Sequence, residues 1–255
     1  MNNNFVHLHN HSDYSLLDGA QRIKPMVQKV KSLGMNSIAL TDHGNLFGAM
    51  EFYSSCKDEN IKPIIGMEAY LIGNGSRLDR EKVIGTKNKV YHIVLLSENI
   101  QGYKNLLKLS TLSYLEGFYY RPRMDKEILK KYSEGLIGLS ACFGGEITNL
   151  HLQNMDVEAQ LAAEEYIDIF GKNNFFIEIQ RHGMKQDSSY EKNVILAKKL
   201  NIPFVATNDV HYTEKKHWEA HDVLFCLGTD KNRNDTNRVR YEPRQFYIKN
   251  TDEMH

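Results

Sequence analysis

The chain has 255 residues, 41% hydrophobic and 25% charged, with 32 Lys and Arg against 32 Asp and Glu. This balance excludes a disordered polyelectrolyte, and no apolar run approaches the length of about 18 residues that crosses a bilayer. Zero formal net charge argues against binding nucleic acid by charge alone, and a chain of this length suits one large domain or two small ones, with a core that needs no covalent staple.

In chain order, short β-branched and apolar runs predict strands at residues 5–8, 37–40, 63–67, 90–96, 136–139, 175–179 and 204–206. Helical periodicity predicts helices at 25–33, where Pro25 suits a first turn, and at 46–59, 103–115, 156–170, 188–200 and 214–227. The alternation implies βα units and a mainly parallel sheet, closed or nearly closed into a barrel, with an open doubly wound sheet as the alternative. No GxGxxG follows the first strand and no P-loop is present. Residues 73–89 are Gly-rich and charged (Arg77, Arg80, Lys82, Lys87, Lys89) and read as a surface loop or hairpin. Residues 231–244, with Lys231, Arg233, Arg238, Arg240 and Arg244, read as a solvated linker at a domain edge. Cys56, Cys142 and Cys226 cannot all pair and none lies in a CxxC, and residues 1–6 show neither a basic start nor an apolar stretch. Both observations point to a reducing, cytoplasmic setting with no membrane partner.

The histidines, 11 in all, carry the chemistry. In parallel βα barrels reactive groups gather where strands end. Here those ends carry His7-Leu8-His9-Asn10-His11-Ser12 with Asp18 close behind, then Asp42-His43, Glu68, His92, Cys142 and Asp209-Val210-His211. Singly, each has an ordinary explanation: polar lining for HxH, a helix cap for Asp42, an edge carboxylate for Glu68, a small buried hydrophobe for Cys142, a turn for the DxH. Together, at one end of successive strands, they read as a metal site. Imidazole, carboxylate and one thiolate suit Zn²⁺, Mn²⁺ or Fe²⁺ rather than Ca²⁺ or Mg²⁺, and the number of donors implies two or more ions. Closely spaced metals stabilise both attacking and leaving oxygens in phosphoryl displacement, so phosphoesters are the favoured substrates.

These motifs, together with Leu17-Asp18-Gly19-Ala20, Asn45-Leu46-Phe47-Gly48, Ile61-Lys62-Pro63-Ile64-Ile65-Gly66, Gly102-Tyr103-Lys104-Asn105-Leu106, Ala206-Thr207-Asn208 and Phe246-Tyr247-Ile248-Lys249, resemble the PHP (polymerase and histidinol phosphatase) family of metal-dependent phosphoesterases. Within it they are most similar to the N-terminal domains of bacterial replicative DNA polymerases. The resemblance implies an α/β fold, a distorted seven-stranded (β/α)7 TIM-like barrel, as a single domain over 1–255. Residues 231–255 would be an edge leading to a polymerase palm outside this sequence. It also implies up to three divalent transition metals (Zn, Mn or Fe) held by His9, His11, Asp18, His43, Glu68, His92, Cys142, Asp209 and His211. Strand parity alone leaves His7, His9 and His11 equivalent; the family pattern of HxH followed by Ser or Thr selects His9 and His11. His7 and Asp42 are then expected behind the ligands. Glu68 would bridge two ions, with Asp209, His211 and Glu68 acting catalytically through the cluster. Arg121 and Arg123 read either as phosphate grips beside Tyr119 and Tyr120 or as part of a solvated loop following the helix. The implied activity is a proofreading 3′→5′ exonuclease acting on the primer 3′ end of DNA, with the rest of the polymerase chain and replisome subunits as partners. The alternatives are a metal-stabilised structural module and a free-standing phosphatase.

Overall fold

A computed structural model describes residues 5–81, 85–87, 89–242 and 244–255; Lys82 and residues 1–4, used in the sequence reading, lie outside them. The elements run α1 (Ile23–Ser32), β1 (Ser37–Leu40), α2 (Ala49–Asp58), β2 (Lys62–Ile72), β3 (Val90–Ser97), α3 (Ile100–Leu115), β4 (Arg123–Asp125), α4 (Lys126–Lys131) and β5 (Leu136–Leu139). They continue with α5 (Glu146–Leu152), α6 (Asp156–Phe170), β6 (Phe175–Ile179), α7 (Ser189–Leu200), β7 (Phe204–Ala206), α8 (Trp218–Thr229) and α9 (Thr251–Met254). The sheet of the described residues has the order β1-β2-β3-β5-β6-β7, with β4 on the far half of β2, and curls into a distorted barrel.

One expectation about the strands needs correction. The predicted first strand, residues 5–8, is not a regular strand. Its segment instead lies between β1 and the chain after β7. Ala39 N and Thr41 N donate to His7 O and Asn10 O on one side, and His11 N donates to Val210 O on the other. Few bonds hold it, yet they close the ring between the two edges of the sheet. The sheet is mainly parallel, as expected, with β3 running antiparallel to both β2 and β5. The cause is the connection before it. Residues 73–89 contain no crossover helix among those described, and a return without a crossover reverses the strand. His92 consequently reaches the site from near the start of β3 rather than its end.

The inward faces of the strands change character along their length. At one end Ala39, Val94, Leu96 and Leu139 meet in an apolar plug, joined by Leu8, Ile64, Phe176 and Val205. Period-two alternation then puts Glu68 on the face of Ile64, His92 on that of Val94, and Glu178 on that of Phe176. The outward faces carry Met67, Ala69, Leu71, Ile93 and Leu95, which pack with Leu106, Leu109, Leu129, Ala163 and Tyr166 of the surrounding helices. A second cluster joins α1, β1 and α2 through Met26, Val30, Ile38, Phe52 and Cys56.

The C-terminal residues depart from the expected linker. The described residues of 231–244 are mostly exposed, but Phe246, Tyr247, Ile248 and Lys249 are buried. They return under the chain after β7, where His211 N donates to Phe246 O and Asn208 Nδ2 donates to Tyr247 O. This stretch is part of the barrel's site end.

The turn after β5 is equally constrained. Ala141 has φ 61°, Gly145 N donates to Cys142 O, and a Cβ on Gly145 would lie 2.0 Å from Ser140 O. Gly145→Ala is therefore expected to destabilise the protein by about 1–3 kcal/mol, through overpacking against backbone that cannot step aside. Denaturant unfolding checks this; an unchanged midpoint would show that the turn relaxes freely.

Candidate metal centre

Glu68 sits at the centre of the site, 1% exposed, on the inward face of β2. Its Oε1 lies 3.2 Å from His9 Nε2 and 2.9 Å from His92 Nδ1, and its Oε2 lies 2.8 Å from His43 Nδ1 and 3.5 Å from His11 Nε2. The β2–β3 register, pairing Tyr70 with His92 and Glu68 with Val94, places His92 beside it. His43 arrives on the loop after β1, whose backbone is pinned to β2: Glu68 N donates to Asp42 O and Gly44 N to Glu68 O. Asp209, at φ 47°, points Oδ1 to within 3.1 Å of His9 Nε2 and 3.2 Å of His11 Nε2. Asp18 Oδ2 lies 3.0 Å from His43 Nε2. Cys142 Sγ is 3.8 Å from Glu68 Oε1 and 3.9 Å from His92 Nδ1. His211 stacks near His11, with ring centroids 4.4 Å apart.

All nine residues expected as ligands thus converge. Three groupings have ligand atoms within 4.8 Å of one another: His9, His11 and Asp209; His43, Glu68 and His92; and His11, His43 and His211. His43 belongs to both of the last two groupings, and its Nε2 also meets Asp18. A cavity of about 420 Å³ opens above, lined by seven of the nine together with Tyr70, Arg121 and Tyr241.

Anchoring of one ring nitrogen leaves the other to face the centre. His9 Nδ1 donates to Glu178 Oε1 at 2.6 Å, and Glu178 also accepts from Thr207 Oγ1 and Gln180 Nε2. His11 Nδ1 donates to Ser15 Oγ at 3.1 Å, whose own proton goes to Asp42 Oδ1 at 2.7 Å. His211 Nδ1 donates to Asp209 O at 2.8 Å. Asp42, rather than capping α2, accepts from Ser12 N, Ser12 Oγ and Ser15 Oγ and so fixes the loop carrying His11. Glu178 was not anticipated. Its signal was a lone carboxylate inside the apolar run 175–179, where unpaired burial would be prohibitive.

Two other expectations came out differently. His7 does not share the site face: its Nε2 donates to Lys249 O and its ring meets Phe5 edge-on, because an irregular segment does not keep strand parity. Burial lowers its pKa to about 4. Arg123, read as a phosphate grip or a solvated loop residue, is 2% exposed, and its guanidinium donates to the carbonyls of Gly117, Arg77 and Asp79. Arg121 is exposed at the cavity mouth, donating to Tyr70 Oη at 2.7 Å.

The electrostatics favour cations at the centre. Burial opposes charge on His9, but Glu178, Asp209 and Glu68 outweigh it and hold its pKa well above the usual imidazole value. Burial opposes charge on His43 as well, and Asp18 and Glu68 outweigh it in the same direction. Burial, reinforced by His43 and His211, pushes His11 down to about 3. Burial would raise Glu68, but His92, His9 and His43 hold it well below the carboxylate range. Burial, with Asp209 and Glu68, raises the Cys142 thiol well above its usual value. Among the described residues, His9 Nε2, His43 Nδ1, His211 Nε2, Glu68 Oε2 and Asp18 Oδ1 are buried without a hydrogen bond. These unbonded imidazole nitrogens and carboxylate oxygens, with the Cys142 thiol beside them, are a donor set that fits divalent transition metals.

The PHP domain family pattern matches residues 7–182, more than half of the chain, and the chain belongs to that family. Its relatives include the DNA polymerase III subunit alpha of Borreliella burgdorferi, 49% identical over 98% of this chain, and that of Treponema pallidum, 48% identical over 98%. The chain spans 22% and 21% of their respective lengths, about a fifth of each. Among solved structures, a protein of Bifidobacterium adolescentis assigned as a metal-dependent phosphoesterase has a TM-score of 0.52 at 11% identity, over 98% of this chain and 94% of that one. An amidohydrolase of Chromobacterium violaceum has a TM-score of 0.51 at 13% identity, over 81% and 87%. These two share the fold.

Two predictions follow from the geometry. Glu178→Gln removes the carboxylate that orients His9, and metal affinity should fall by about 10- to 100-fold with the fold retained. Titration with Mn²⁺ alongside circular dichroism checks this, and unchanged affinity would mean that Glu178 is only lining. The raised pKa values of His9 and His43 mean that both carry protons at neutral pH, which an incoming cation displaces. Calorimetry of Mn²⁺ binding in buffers of different ionisation enthalpy should reveal net proton release, and affinity should fall as pH is lowered below those raised values. Binding without proton release would show the imidazoles already neutral.

Proposed function

We propose that the chain is the PHP module of a bacterial DNA polymerase III alpha subunit and hydrolyses phosphodiesters as a metal-dependent 3′→5′ exonuclease, removing misincorporated nucleotides at a primer end. The observation that carries this reading is the Glu68 carboxylate with four imidazoles within 3.5 Å, beneath a cavity open to solvent. Relatives that are polymerase subunits support the setting: a cytoplasmic protein whose partners are DNA, the remaining polymerase chain and replisome subunits. No helix among the described residues is long and apolar enough to cross a membrane.

In this reading up to three ions (Zn, Mn or Fe) would be held by Glu68 together with His9, His11 and Asp209, with His92 and Cys142, and by Asp18, His43 and His211. Bound metals supply Lewis-acid stabilisation of the attacking and leaving oxygens. The chain's own residues do the rest. Glu178, Ser15 and the Asp209 carbonyl fix which nitrogen each imidazole presents. The buried carboxylates concentrate negative charge that draws the cations in. Arg121, at the mouth, offers a guanidinium to the scissile phosphate or its neighbour.

Metal analysis of protein purified without chelator should find more than one transition-metal ion per chain. Their removal should lower the melting temperature on the order of 5–10 °C, because metals bind only the folded site. Asp209→Asn keeps a residue type that tolerates a left-handed backbone but removes a charged ligand. It should reduce release of mononucleotides from 3′-mismatched DNA in Mn²⁺ by at least about 100-fold while circular dichroism is unchanged. Equal rates in mutant and wild type would place the activity elsewhere. A metal-loaded wild type that is stabilised yet releases no nucleotide would favour the structural-module reading, for which the knitting of four chain segments around Glu68 is the supporting observation.

A further inference from the structure

A second groove, of about 430 Å³, runs off the metal cavity and shares Asp18, His43, Tyr70, Arg121 and Phe225 with it. Its walls hold aromatic rings that folding has left in solvent. Phe47 is 62% exposed and Tyr120 is 85% exposed. Phe47 is backed by Tyr114, with centroids 6.1 Å apart, and Tyr114 by Phe118, at 6.2 Å. Tyr120 stands at the tip of a tight turn in which Tyr119 N donates to Arg121 O, with φ 60°, a conformation that bulky residues rarely adopt. Arg121, next in the chain, lies over the Tyr70 ring at 4.7 Å and marks the junction between groove and cavity.

We propose that this groove seats the unpaired nucleotides of a single DNA strand, stacking bases on Phe47 and Tyr120, while Arg121 holds the phosphate that passes from groove to metal cavity. The assignment deepens the phosphodiesterase reading and rests on it for the identity of the strand. Exposed rings along a groove beside a guanidinium are what sequence-tolerant single-strand binding requires, since every base offers a π-face and every linkage a phosphate. The 3′→5′ exonuclease reading sets the direction: the strand's 3′ end reaches the ligands, and the preceding bases lie on the rings. A protein partner would have no need of a groove that opens onto the metal ligands.

The test is anisotropy of a 5′-fluorescein oligothymidylate with phosphorothioate linkages, which resists cleavage, titrated with the Mn²⁺-loaded 255-residue chain. Phe47→Ala and Tyr120→Ala should each weaken binding by roughly 5- to 150-fold, whereas Phe47→Trp and Tyr120→Phe, which keep a ring, should bind as wild type does. Arg121→Gln should reduce the slope of log affinity against log salt by about 0.7. A blunt duplex should bind more weakly than the single strand. Alanine variants that bind as tightly as wild type, no binding by wild type, or duplex binding as tight as single-strand binding would each overturn the groove assignment. Ring-dependent binding by a wild type that hydrolyses no ordinary strand would instead leave the groove in place and remove the exonuclease reading.

Discussion

An ionised carboxylate buried to 1% exposure is the constraint around which this barrel is arranged. Removing Glu68 from water is tolerable only with positive charge against it. That charge comes from His9 on the closing segment and His43 after β1, whose pKa values the surrounding carboxylates raise, while the rings of His11 and His92 stand within 3.5 Å of the same carboxylate. Since β2 also pairs with β1, β3 and β4, the residue that needs the imidazoles lies on the strand that positions their carriers.

Hydrogen bonds to the outward nitrogens of the imidazoles turn proximity into orientation. Imidazole can present either nitrogen, and the choice is made by whatever holds the other. Glu178 decides for His9, the Ser15–Asp42 relay for His11, and the Asp209 carbonyl for His211. Asp209 has a left-handed backbone at φ 47°, and Ala141, beside Cys142, does so at φ 61°. Such conformations persist where the surrounding bonds over-determine them, as at a site whose groups must converge.

Much of this was legible in the residues. The helix at 156–170 and the strands at 37–40, 136–139, 175–179 and 204–206 have the boundaries that their apolar patterns indicate, because each is an ordinary amphipathic or buried element. The nine candidate ligands stand out since His, Asp, Glu and Cys are costly at the ends of buried strands without a common purpose. Glu178 was missed because nothing in a single carboxylate names its partner 169 positions away. Arg123 was misplaced for a related reason: its neighbour Arg121 has the same local sequence character, and only the carbonyls of Gly117, Arg77 and Asp79 distinguish a buried guanidinium from an exposed one.

The division between the two levels follows the range of the forces. Composition, periodicity and the order of motifs determine which residues are chemically able to bind a cation and which segments become helix or strand, since these depend on neighbours within a turn or a pleat. Closure of the ring by an irregular segment, the diversion of His7 to Lys249 and the return of residues 246–249 beneath the site depend on hydrogen bonds between parts of the chain as much as 242 positions apart. No local pattern encodes such pairings. They emerge only when the apolar plug and the charged cluster are formed together, and that coincidence belongs to the folded barrel alone.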